Sequence, residues 1–190
     1  MSLFLISVRC TLILMLLFGL GYNLLVTGIA QGLMPGKADG SLIYNRNNEL
    51  VGSELIGQAF ADPKYFTGRV SSIDYNGAGS GTPNYAPSNE DMIKRTAEAV
   101  EAWKTDNPDV PVGELPIDLI TNSGSGLDPH ISPEAAEAQI PRISKLTGIA
   151  ETQLADLVRK HTSGRQLGFL GEPTVNVLKL NLELDAKMNQ

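Results

Sequence analysis

The sequence predicts a mixed α/β domain, of the α+β kind, outside the membrane and preceded by one N-terminal transmembrane helix. Three observations carry this reading. Cys10 to Ala30 (CTLILMLLFGLGYNLLVTGIA) contains no charged residue. Beyond it, short stretches rich in β-branched and aromatic residues are interspersed with segments of helical periodicity. Glycine, proline and asparagine gather between those segments and mark the turns. A chain of 190 residues has room for one ordinary domain plus such an appendage, and it shows no internal repeat.

The apolar run comes first. Twenty-one residues at ~1.5 Å each rise roughly 31 Å, close to the hydrocarbon thickness of a bilayer. A cleaved signal peptide is the competing reading, because Gly28-Ile29-Ala30 has the small-x-small form of a cleavage site. Signal h-regions run to only about 7–15 residues, however, and Arg9 is the only basic side chain ahead of the run. The expected organisation is therefore a short cytoplasmic N-terminus (1–9), a transmembrane helix (10–30), a linker (31–40) and an extracytoplasmic domain (41–190). Arg9 on the near side and a net acidic chain beyond Lys37 place the N-terminus inside by the positive-inside rule. Asn23 and Thr27 are polar and would seek a partner helix in lipid.

In the outer part, SLIY and ELVG flank NRNN and predict a small hairpin. PKYFTGRVSSIDY reads as extended, and the glycine- and proline-rich NGAGSGTPNYAPS as a loop. Ser88 or Asn89 caps a helix with Glu90 and Asp91 in its first turn, and Ile93, Ala97, Val100 and Trp103 form its apolar stripe up to Asn107-Pro108. Ile117 to Ile120 reads as a short strand. Ser132-Pro133-Glu134 is a helix start in the order cap, proline, acid. Pro141 must split the helical stretch that begins there, and Gly148 ends it. Glu151–His161 is a further helix with Leu154, Leu157 and Val158 on one side. The final TVNVLKLNLELDAKM fits a strand by its alternating leucines, or a helix capped by Asn176; the helix is the expectation.

The chemistry is sparse. Ser123, Ser125, Asp128 and His130 supply the residue types of a nucleophilic triad, but they crowd one loop, and no G-x-S-x-G is present. No phosphate-cradling G-x-x-x-x-G-K-[ST] occurs. His130 and His161 are the only histidines and Cys10 the only cysteine, too few for a metal site. RISKLTGIAETQLADLVRKH scans like a helix-turn-helix, yet acids oppose its bases, and a net charge of −6 argues against nucleic acid as a partner. A non-catalytic accessory subunit or a solute-binding module, secreted or anchored, fits these facts.

Five separated stretches carry a resemblance: GSELIGQAF, YFTGRVS, PSNEDM, TNSGSGLDPHISPEAAEAQIPRIS and GEPTVNVLKLNLELD. In order and spacing they resemble the C subunit of the bacterial high-affinity potassium-transporting P-type ATPase, the Kdp complex. Val70 departs from the proline usual after Gly-Arg. The resemblance implies a subunit of the inner (plasma) membrane that is not an enzyme by itself and binds no cofactor firmly. Its implied partners are a channel-like potassium-translocating subunit, a P-type ATP-hydrolysing subunit, a small fourth peptide and membrane lipid. Potassium is then the transported ion, and ATP enters through the hydrolytic subunit, whose ATP affinity the C subunit is held to raise as a catalytic chaperone. The resemblance also implies Gln139 as a nucleotide contact, through likeness to a transporter signature. The topology read from the residues instead puts Gln139 outside, where it would bond a neighbouring loop. Leu14, Leu17, Gly21 and Gly28 are candidates for packing on partner helices. Asp118 and Asp128 are candidates for drawing cations to an outer mouth.

Overall fold

A computed structural model of the chain describes residues 2–189. Two compact units divide at Leu42/Ile43.

The first unit is a continuous helix, Leu3–Leu33, of 31 residues and mean hydropathy 2.4. It comprises α1 (Leu3–Leu14), a π-helical stretch Met15–Gly21 and α2 (Tyr22–Leu33). The single turn α3 (Pro35–Ala38) comes next. The expected need of Asn23 for a partner is met locally, since its Nδ2 donates to the Gly19 carbonyl at 2.6 Å. Local bonding of this kind satisfies an amide in lipid without a second helix.

The second unit opens with the expected hairpin, β1 (Leu42–Tyr44) with β2 (Leu50–Ser53). Helix α4 (Glu90–Asp106) is capped by Asn89, whose side chain accepts from Met92 N–H at 3.0 Å, and it stops at Asn107 before Pro108. A three-stranded antiparallel sheet has the order β3 (His130–Ile131), β5 (Thr174–Asn176), β4 (Thr162–Ser163). His130 faces Asn176 and Ile131 faces Val175; on the other side of β5, Thr162 faces Val175.

Between β3 and β4 lie α5 (Pro133–Glu137), α6 (Ile140–Thr147) and α7 (Glu151–His161). Ser132 caps α5 by accepting from Ala135 N–H at 3.0 Å. Pro141 supplies no N–H, so the helix breaks at Gln139 and restarts as α6. Gly148 ends α6 at φ +75, where a residue with a Cβ would be strained. The C-terminal element is helix α8 (Val177–Met188), capped by Asn176, which accepts from Lys179 N–H at 3.1 Å. Its alternating leucines do not extend a strand because the cap turns the chain at the end of β5. One core joins Phe66, Ile131, Ala135, Ile143, Leu154, Leu157, Val158, Val175, Leu180 and Leu184.

Three expectations change. Ile117–Leu119 is a 3₁₀ turn, not a strand. It has no neighbouring strand to pair with, and Thr121 N–H closes back on the Ile117 carbonyl at 3.0 Å. Residues 63–75 form no strand beyond one bridge, Val70 to Asn122, because side chains take the backbone bonds a ladder would have used. On α4 only Trp103 of the proposed stripe is buried, while Ile93 is 55% exposed. The helix docks by its C-terminal half.

Candidate functional site

Breaking the helix at Pro141 leaves the side chain at the junction pointing inward. Gln139 is 0% exposed and uses every hydrogen bond its amide offers. Its Oε1 accepts from Thr67 N–H at 2.8 Å, from Thr67 Oγ1 at 3.0 Å and from Arg142 Nη2 at 2.8 Å. Its Nε2 donates to the Thr67 carbonyl at 3.2 Å and the Ala135 carbonyl at 3.0 Å. One residue earlier, Asn181 of α8 does the same for Phe66. Its Oδ1 accepts from Phe66 N–H at 2.9 Å and its Nδ2 donates to the Phe66 carbonyl at 2.8 Å.

Two buried amides from separate helices thus grip the consecutive residues Phe66 and Thr67 as neighbouring strands would. Satisfied buried amides of this kind are costly to disturb. Tyr65 adds a third tie, its hydroxyl donating to Asp185 Oδ1 at 2.7 Å. Burial, then the Asp185 carboxylate, push that phenol up to about 12.

Arg142 is buried beside this clamp. Its Nε donates to Asn107 Oδ1 at 3.0 Å and its Nη1 to the Pro63 and Tyr65 carbonyls. Burial lowers its pKa, with Asp106 opposing. Oxygen acceptors from separate parts of the chain therefore surround the guanidinium, which joins α6 to the segment before Phe66.

The loop Thr121–Ser132 is tied down along its length. Asp128 Oδ1 accepts from His130 N–H at 3.0 Å, and its Oδ2 lies 3.2 Å from Arg69 Nη1. Arg69 Nη2 reaches the Asn122 carbonyl at 3.1 Å, and Ser71 Oγ donates to the Gly126 carbonyl at 2.6 Å. Asp118 accepts from Ser132 N–H at 2.7 Å and so orients the cap of α5. Gly57 N–H donates to the Leu127 carbonyl at 2.8 Å, and a Cβ at position 57 would meet the Asp128 carbonyl oxygen at 2.6 Å, so only glycine fits this approach. Ser125 Oγ accepts from Leu127 N–H at 3.0 Å. Among the described residues neither Ser123 nor Ser125 is hydrogen-bonded to His130, and no group of three or more His, Cys, Asp or Glu is placed to hold a metal ion. The stretch that offers triad residue types is a braced connection into α5.

Burial pushes the Asp128 carboxyl up, but hydrogen bonds from His130 and Arg69 outweigh it and leave the group below the usual carboxylate range. On α8, Lys160, with His161 beside it, lowers Glu183 against a smaller opposing burial effect. A depressed folded-state pKa stabilises above the unfolded value, near 4, and the stability is lost as pH falls through the folded value. Acid titration followed by circular dichroism should therefore show stability declining below about pH 5, and Asp128→Asn should be less stable at pH 7 yet lose less on acidification. Equal pH slopes for variant and parent would remove Asp128 from this account.

The remaining candidates lie in the first unit. Leu14 and Leu17 are exposed, and a Cβ at Gly28 would touch nothing within 4 Å. Gly21 closes the π-helical stretch. The helix-turn-helix-like stretch is α6 and α7, and on α7 Arg159 pairs with Asp156 and Lys160 with Glu183, which leaves no basic face. Residue reading missed Asn181 and Arg142. The available signal was a polar residue on the apolar face of α8, between Leu180 and Leu184, which requires an internal partner.

An apolar helix long enough to cross a membrane, joined to a unit whose buried polar groups are spent on its own backbone, defines an anchored accessory protein. The family model of the K+-transporting ATPase c chain, KdpC, matches residues 4–186. The potassium-transporting ATPase KdpC subunit of Bacillus cereus (strain AH820) is 59% identical over 181 residues, 95% of this chain and 94% of that protein. The subunit of the same name from Bacillus thuringiensis subsp. konkukian (strain 97-27) is also 59% identical over 181 residues, with the same shares of both chains. That of Bacillus cereus (strain Q1) is 59% identical over 177 residues, 93% of this chain and 92% of its own. The chain belongs to the KdpC family. A solute-binding module is not favoured.

Proposed function

We propose that this chain is the non-catalytic accessory subunit of an ATP-driven potassium importer, single-pass in the bacterial plasma membrane, with its N-terminus cytoplasmic and its globular unit outside. The observation that carries this is the match of nearly the whole chain to relatives named as KdpC subunits of a potassium-transporting ATPase. The apolar helix Leu3–Leu33 supports the anchor. Its partners in this reading are the channel-like potassium-translocating subunit, the ATP-hydrolysing subunit and a small fourth peptide. Leu14, Leu17, Gly21 and Gly28 pack against partner helices, where small residues permit close approach.

Gln139 serves as the clamp of the outer domain rather than a nucleotide contact, because its amide is fully engaged inside the protein. Any effect on ATP affinity then runs through the pump's conformational equilibrium, which a partner biases by preferring one state. Asp118 and Asp128 position the α5 connection, and their charge contributes to the cation environment only through the acidic surface as a whole.

The test is a mild-detergent pull-down with the full chain as bait from potassium-starved bacteria, read by mass spectrometry. Co-recovery of a P-type ATPase and a large polytopic potassium-transport subunit is expected. Recovery of the chain alone, beginning near Gln31, would overturn both the anchor and the assignment to a pump.

A further inference from the structure

Ten consecutive residues, Ser163 to Glu172, are exposed. They leave the sheet after β4 and return into β5 as a projecting hairpin. The projection is ordered. Gln166 N–H donates to the Leu170 carbonyl at 2.8 Å, Leu170 N–H returns to the Gln166 carbonyl at 2.9 Å, and Arg165 pairs with Glu172 at 2.5 Å across the base.

The tip, Gln166 to Gly171, carries no charge. Leu167 is 82% exposed, Phe169 69% and Leu170 47%. Leu167 also sits at φ +52, a left-handed conformation that a leucine adopts only at a cost. Backbone strain and bare apolar surface at one tip point to a partner outside the domain.

We propose that this tip inserts into the outer leaflet of the bilayer that holds the chain's own helix, and so docks the globular unit on the membrane surface. The proposal rests on the anchoring put forward above. Three physical facts select lipid as the occupant. The apolar helix ends at Leu33 and the globular unit begins at Ile43, so the connection reaches at most roughly 35 Å even fully extended. A bilayer surface is then always within range.

Three side chains offer a few hundred Å² at most, against the roughly 1,200 Å² or more of a specific protein interface. So small a patch suffices for a surface already held close by a tether. The tip is also convex and uncharged, with Arg165 at its base, where a guanidinium would meet headgroup phosphates.

The test places an environment-sensitive nitrobenzoxadiazole label at the tip through Gln166→Cys in a Cys10→Ser background. The full chain is reconstituted in phosphatidylethanolamine–phosphatidylglycerol liposomes, with and without doxyl-labelled acyl chains. Blue-shifted emission that doxyl lipid quenches is expected, as is loss of both effects on adding Phe169→Asp. Water-like emission from a chain that floats with the liposomes would overturn docking while leaving the anchor intact. A blue shift without doxyl quenching would overturn it in favour of a protein contact. A chain that does not float with the liposomes would overturn the anchor itself, and docking with it.

Discussion

Gln139→Leu is expected to destabilise the outer domain by about 3 kcal/mol, since each buried polar group left without a partner costs ~1–3 kcal/mol and local relaxation recovers part of the total. The substitution keeps much of the volume but removes both ends of the amide. Thr67 N–H, the Thr67 carbonyl, the Ala135 carbonyl and one Arg142 N–H would all lose their partner in a place water does not reach. Urea unfolding of the full chain in detergent, followed by the emission of Trp103, the only tryptophan, would measure this directly. The expected result is a lower midpoint with an unchanged slope. A parent-like midpoint, with only the ATP dependence of the assembled pump altered, would instead make Gln139 a nucleotide contact.

Phe66→Ala should cost about 3–5 kcal/mol, the range for truncating a buried aromatic ring. Phe66 is 0% exposed and stands in the core beside Ile131, Val175 and Leu180. Its backbone is gripped at both N–H and carbonyl by Asn181, so the chain has little freedom to collapse into the void. Against a total stability of ~5–15 kcal/mol, such a loss would unfold a sizeable share of molecules at growth temperature. Loss of the subunit from detergent-purified complexes on warming, with retention in the cold, is the expected outcome. A cost below about 1 kcal/mol would show that the site repacks, and that the clamp leaves Phe66 more freedom than its bonds suggest.

Helix ends were legible because capping chemistry is local. Asn89, Ser132, Asn176 and Gly148 each announce a terminus with only their immediate neighbours, and each stands where it was expected. The break at Pro141 was legible for the same reason. The strand misread at Ile117 and the extended segment at 63–75 failed because a strand requires a neighbour, and no local pattern says whether one will be there. The face of α4 was misread because spacing defines a stripe, while docking decides how much of it is covered. Asn181 and Gln139 pair with residues 115 and 72 positions away, so no window of sequence contains both partners.

By itself the sequence determined the apolar helix, the order of the helices and their caps, and the family, since these depend on local propensity, hydropathy and residue order. Only the tertiary structure decided what the polar residues do. Gln139, Asn181 and Asp128 have the chemistry of ligand-binding groups as single letters. They hold backbone instead, because the fold buries them against N–H and carbonyl groups of an irregular segment that has no sheet to satisfy it.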